Sequence, residues 1–140
     1  MSQIRNFVCH YYEINYFNTL KKRPMKEFLM LIRENADYGR MSLDDMQADI
    51  QKHMDWVETL LEKGQFKDGN PLEGAGITLH GKERLVKDGP FIESKECISG
   101  YYFLIASSLE EAAEIAKGCP ALDLGATLEL REVIQTGEHA

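Results

Sequence analysis

The pattern of this 140-residue chain predicts an α+β fold of the split βαβ, ferredoxin-like kind. Three observations carry that expectation. Two stretches place apolar residues at helical spacing, each opened by a serine cap and closed near a glycine. Short β-like runs surround them in the order β-α-β-β-α-β, with one extra hairpin before the strongest strand. The length suits one domain with a real core, and the chain contains no internal repeat or low-complexity tract.

The first strand is "KEFLMLIR", residues 26–33, a compact apolar run bounded by the loop "ENADYG". "SLDDMQADIQKHMDWVETLLEKG" follows as a long helix. Ser42 is its N-cap with Asp45 three positions on, and Asp44 and Asp45 suit the positive end of the helix dipole. Gly64 fits the C-terminal cap. Met46, Ile50, Val57, Leu60 and Leu61 form the expected apolar stripe, and His53 falls inside it.

The turn-rich "QFKDGNPLEGAG" holds a short strand near Phe66. "ITLHG" and "RLVKDG" read as the arms of a hairpin with Gly81 and Lys82 near its turn. "SGYYFLIAS" is the strongest strand. In "SLEEAAEIAKG", Ser108 caps a second helix, Glu111 is its box partner, and Gly118 ends it. The alternating "ATLELREVI" closes the pattern as a last strand. Two helices on one face of such a sheet leave the other face bare, so a homodimer with sheets back to back is expected.

Residues 1–24 differ in character. They hold five of the twelve Phe and Tyr residues, Phe7, Tyr11, Tyr12, Tyr16 and Phe17. Arg5, Lys21, Lys22 and Arg23 against Glu13 make this segment +3, which leaves the remainder at −10 within a total of −7. Three readings stand side by side: an accessory element packed on the domain or a partner, a weakly ordered tail, or sequence upstream of a true start at Met25. The expected organisation is an extension over 1–24, a domain over 25–136 and a short tail over 137–140.

Composition excludes several classes. A net charge of −7 and a pI near 5.1 argue against a nucleic-acid binder. No apolar run approaches a membrane span, and the N-terminus lacks the basic and apolar blocks of a signal peptide. Cys9, Cys97 and Cys119 are too few and too scattered for a disulfide framework, which points to a reducing, cytoplasmic setting. There is no phosphate-binding glycine loop and no nucleophile motif. His10, His53, His80 and His139 do not form a metal signature, so no metal or other cofactor is expected.

The candidate chemistry rests on few residues. His53 on a helix stripe reads either as a satisfied core residue or as an acid–base group lining a space between helix and sheet. Asp88 and Gly89 read as ordinary turn chemistry, while Pro90 and Phe91 fix the direction of that turn and, with it, a carboxylate. Phe91 and Glu93 beside the turn, and Tyr101 on the next strand, are the candidate substrate contacts. The mixed charges of Glu93, Lys95 and Glu96 also fit a plain solvated loop.

With these residues assembled, the chain resembles the YCII-related family, in the branch named for its D-G-P-F motif. Residues 88–91 supply that motif within "DGPFIESKECISGYYFLI". The likeness extends to "KEFLMLI", "IQKHMDWVETLLEKGQF", "KDGNPL", "EEAAEIAKGCP" and "LELREVI", and so spans about residues 25–134. The resemblance implies a ferredoxin-like fold, a dimeric α+β barrel and an active site built on a histidine–aspartate pair. His53 matches the helix histidine and Asp88 the motif aspartate. Ser94, Cys97 and Ser99 depart from the commoner pattern.

Two functions follow as expectations. One is a cofactor-independent enzyme of lyase, isomerase or hydrolase type, acting on a small organic molecule with His53 as acid or base and Asp88 orienting it. The alternative is a non-catalytic ligand-sensing or protein-partner module linked to transcription regulation.

Overall fold

The structure, a computed structural model, describes residues 24–34, 41–88 and 97–137, with Asp88 described by its strand position alone. The differing character of residues 1–24 concerns a segment that, up to Arg23, lies outside the described residues. Strand β1 is Lys26–Arg33, helix α1 Leu43–Glu62, β2 Phe66–Pro71, β3 Ile77–His80 and β4 Leu85–Asp88. Strand β5 is Ile98–Ala106, helix α2 Leu109–Ala116, and β6 Thr127–Glu132, after a short 3-10 turn at Pro120–Leu124. The order is the predicted one.

Four strands form one antiparallel sheet in the order β2-β5-β1-β6, while β3 and β4 pair as a separate hairpin. This is an α+β fold of the ferredoxin-like kind, with the two β-α-β halves interleaved. Alternation along β1 sends Phe28, Met30, Ile32 and Glu34 to the face where the helices lie. From β5 the same face receives Gly100, Tyr102, Leu104 and Ala106. Phe28, Met30 and Leu104 are fully buried, and each contributes roughly 1.5–3 kcal/mol. Leu60 of α1 and Ala112 and Ala116 of α2 cover them. The opposite face carries Leu29, Leu31, Tyr101, Phe103 and Ile105, all half-buried, with no helix of the described residues over them.

The caps hold the helices as expected, with one difference. The Ser42 hydroxyl accepts from the Asp45 backbone N–H at 3.1 Å and donates to the Asp45 carboxylate at 2.8 Å. Gly64 takes a φ of +67° just past α1, a conformation that glycine adopts without a side-chain clash. At α2 the Ser108 hydroxyl accepts from the Glu111 N–H at 3.1 Å. The Glu111 carboxylate, however, reaches one residue further back, accepting from the N–H of Ser107 at 2.8 Å and from its hydroxyl.

Helix α1 is also rotated relative to the stripe expected for it. Met46, Asp49, His53, Trp56, Val57 and Leu60 face inward, while Ile50 and Leu61 are exposed. The apolar arc of α1 is wider than the sheet can cover. The sheet takes the side that brings Trp56 against Gly118 and His53 against Tyr102, leaving the other side in water. No helix among the described residues is long and apolar enough to cross a membrane.

Candidate functional site

His53 sits on the inward side of α1, one turn after Asp49 and directly over β5. Its Nδ1 and the Tyr102 hydroxyl are 2.9 Å apart, and its Nε2 stands 4.0 Å from the Asp49 carboxylate. Both the His53 and Asp49 side chains are mostly buried. The imidazole lies parallel to the Tyr102 ring at a centroid distance of 6.2 Å. Trp56 and Phe66 meet that same ring edge-on, at 5.4 and 6.0 Å. Tyr102 is therefore the hub of the site, wedged between α1 and β2.

Two glycines make this packing possible. A Cβ on Gly69 would lie 2.5 Å from the Tyr102 ring and 2.9 Å from the Tyr101 carbonyl oxygen. One on Gly118 would lie 2.7 Å from the Trp56 indole nitrogen. Gly118 follows the end of α2 as expected, but what it supplies is room for Trp56 rather than a left-handed cap.

Burial keeps two groups of the site protonated, Tyr102 and Cys119. Burial pushes the Tyr102 phenol up to about 12, aided by the negative charge of an ionised Cys119, of Asp49 and of Glu34. Burial likewise pushes the Cys119 thiol up to about 11; a backbone hydrogen bond involving Ala121 acts against this, and Glu34, Asp49 and Asp123 add to it. Both groups are protonated at neutral pH. The protonated phenol can donate to Nδ1, which puts the neutral ring's proton on Nε2 toward Asp49, or accept from a protonated Nδ1. When the ring gains a second proton, the Tyr102 hydroxyl turns to accept and Asp49 faces the new charge. The arrangement can therefore hold a proton at Nε2, release it, or present it to a bound oxygen.

Glu34 completes the set. It is buried at the end of β1, its N–H donating to the Cys97 carbonyl at 3.3 Å, and its carboxylate acts on both Tyr102 and Cys119. Among the described residues no group of three or more His, Cys, Asp or Glu side chains is placed to hold a metal ion.

Of the other sequence-predicted site residues, Tyr101 alone has its side chain among the described residues. Asp88 ends β4, paired across the hairpin with Ile77, and its side chain lies outside the described residues. Phe91 and Glu93 lie outside them as well. Tyr101 projects from the sheet face opposite His53, where its ring meets Phe103 at 5.9 Å and its hydroxyl accepts from Asn70 at 3.3 Å. Sequence reasoning missed Asp49, Tyr102 and Glu34. Each carried a signal: Asp49 lies four residues before His53, Tyr102 alternates in register with Leu104, and Glu34 continues the period of Phe28, Met30 and Ile32.

A family model described as a YCII-related domain matches residues 27–136. The chain belongs to that family. The match takes in every element from β1 to β6, including His53, the hairpin and Tyr102. No curated protein matches the chain.

Proposed function

We propose that this YCII-related protein is a cofactor-independent enzyme of the lyase, isomerase or hydrolase type. It moves a proton on a small organic molecule bound beside His53. The observation that carries this reading is the pairing of one mostly buried imidazole with a phenol at 2.9 Å and a carboxylate at 4.0 Å. Such a ring has one fixed orientation and one preferred tautomer. Positioned proton transfer is worth on the order of 10²–10⁴-fold in rate. His53 is the acid or base at Nε2, Asp49 faces the charge that forms, and Tyr102 fixes Nδ1. Asp88 remains the expected catalytic partner of His53 in this reading and Phe91 and Glu93 its substrate contacts, while Tyr101 is assigned to the open sheet face.

The reading includes a second copy on that open face. Leu29, Leu31, Tyr101, Phe103 and Ile105 form its apolar centre, and the Lys67–Glu27 and Arg33–Glu129 ion pairs, at 2.6 and 3.7 Å, lie at its margins. Two free cysteines among the described residues, Cys97 and Cys119, suit a reducing, cytoplasmic setting.

One observation favours the non-catalytic alternative, a ligand-sensing module. Both imidazole nitrogens already face protein groups, as in a satisfied structural histidine. A single screen separates the two. Small carbonyl compounds and carboxylic acids are incubated in D₂O with the parent protein and with His53→Ala, and solvent exchange or elimination is followed by NMR. Turnover that vanishes in a folded His53→Ala variant supports the enzyme. Compounds that bind beside His53 without turning over favour the sensor and contradict the enzyme.

A further inference from the structure

Helix α1 has an apolar side that the sheet does not use. Leu43, Ile50, Met54 and Leu61 are 77, 55, 60 and 57% exposed. At 100° per residue these four fall within about 40° of one another, a single straight stripe along the helix. Val57, half-buried, joins this stripe to the inward face, and Gln47 is the one polar residue in line with it. On the inner side the stripe borders Met46 and His53. On the outer side it borders Asp44, Asp55, Glu58 and Glu62, all exposed. An apolar strip of this length beside an acidic row is the surface of a docking site for a basic, apolar segment. An antiparallel second copy of α1 does not fit it, because pairing the stripes would set the two acidic rows side by side.

The chain itself carries a segment of the complementary kind. Residues 1–24 hold Arg5, Lys21, Lys22 and Arg23 against the single Glu13, among Phe7, Tyr11, Tyr12, Tyr16 and Phe17. The point where this segment joins the domain is equally suited. Lys26, at the start of β1, pairs with Ala106. The neighbouring Ile105 N–H donates to the Gln65 carbonyl at 2.9 Å, and the Gln65 N–H donates to the Leu60 carbonyl at 2.8 Å. The Lys67 ammonium, just beyond, reaches Glu27 at 2.6 Å. Residue 24 therefore leaves the sheet at the end of the molecule where the Leu61 end of the stripe lies. A 20-residue helix is about 30 Å long, and 24 residues extend to roughly 80 Å, so reach is not limiting. Tethering at one end of the site gives an effective concentration on the order of millimolar.

We propose that residues 1–24 dock on the Leu43–Ile50–Met54–Leu61 stripe of their own chain, with their basic residues against Asp55, Glu58 and Glu62. This assignment does not depend on turnover at His53.

The test uses the full chain with a benzophenone amino acid at position 54. Irradiation followed by peptide mapping reads what lies on the stripe, in a mixture of ¹⁴N- and ¹⁵N-labelled protein. Cross-links joining position 54 to residues 1–24 within one isotope are the expected result. Their yield falls several-fold in the Asp55→Lys/Glu58→Lys/Glu62→Lys variant, and falls with added salt in the parent. Cross-links to residues 35–40 or 89–96, cross-links between isotopes, or none at all would overturn the proposal.

Discussion

Tyr101 and Tyr102 are neighbours in β5, and they sit in two different environments because the strand turns every second side chain to the other face. Tyr102 faces α1, touches His53, Trp56 and Phe66, and has its phenol pushed up to about 12 by burial. Tyr101 faces away from the helices, beside Phe103 and Asn70. The helix-covered face combines an apolar core of Phe28, Met30, Ile32 and Leu104 with a polar set, Glu34, Asp49, His53 and Tyr102, toward one end. The open face is apolar along its centre and ion-paired at its margins. What differs is what each face can do alone. One is a finished layer with titratable groups locked in place; the other is a surface that gains by being covered.

Substitutions that contrast the two faces have the largest expected effects. Phe28→Ala opens a cavity under both helices and costs about 3–5 kcal/mol in denaturant unfolding. Leu31→Ala, its counterpart on the open face, costs about 1 kcal/mol at low protein concentration. A cost for Leu31→Ala that grows with protein concentration marks a second copy on that face, since association stabilises by mass action. Equal costs for the two at every concentration would erase the distinction between the faces.

Gly69→Ala ranks next. Its Cβ would meet both the Tyr102 ring and a backbone carbonyl, so the expected cost is about 1–3 kcal/mol. A neutral Gly69→Ala would mean that Tyr102 is not wedged against β2. Tyr102→Phe is milder, about 1 kcal/mol for the lost hydrogen bond to His53, measured by the same unfolding curves.

The pH dependence is the most specific effect. Tyr102 and Cys119 have folded values raised above their ordinary 10 and 9, to about 12 and 11. A raised value means the folded state holds the proton after the unfolded chain has released it. The stabilisation is therefore complete below pH 9 and is lost as pH rises from about 9 to 12. The unfolding midpoint should fall across that window, less steeply in Tyr102→Phe and Cys119→Ala. A midpoint that holds steady to pH 12 would place both groups in water.

Much of the fold was legible in the sequence because it rests on periodicities. The apolar run from Lys26 to Arg33, the serine caps at 42 and 108 and the hairpin around Gly81 each signal their structure locally. The rotation of α1 was not legible. Its apolar arc is broad enough to bury either Ile50 and Leu61 or Trp56 and His53, and only the room at Gly118 and the Tyr102 hydroxyl decide between them. The candidate site was half legible for the same reason. His53 stood out as a polar residue on an apolar stripe, whereas its phenol partner comes from a strand 49 residues away and looked like core. Asp49 shares a helix face with His53 four residues on, but it is one of many acids along α1.

The central claim is that Tyr102 and Asp49 hold His53 in one tautomer. Two-bond ¹H–¹⁵N correlation spectra of the imidazole at pH 8 read this directly, in the parent protein and in Tyr102→Phe. The account predicts a single Nε2-protonated tautomer with Nδ1 accepting a hydrogen bond, and a change in the Nδ1 resonance when the phenol oxygen is removed. An Nδ1-protonated ring, or an Nδ1 signal indifferent to Tyr102→Phe, would contradict it.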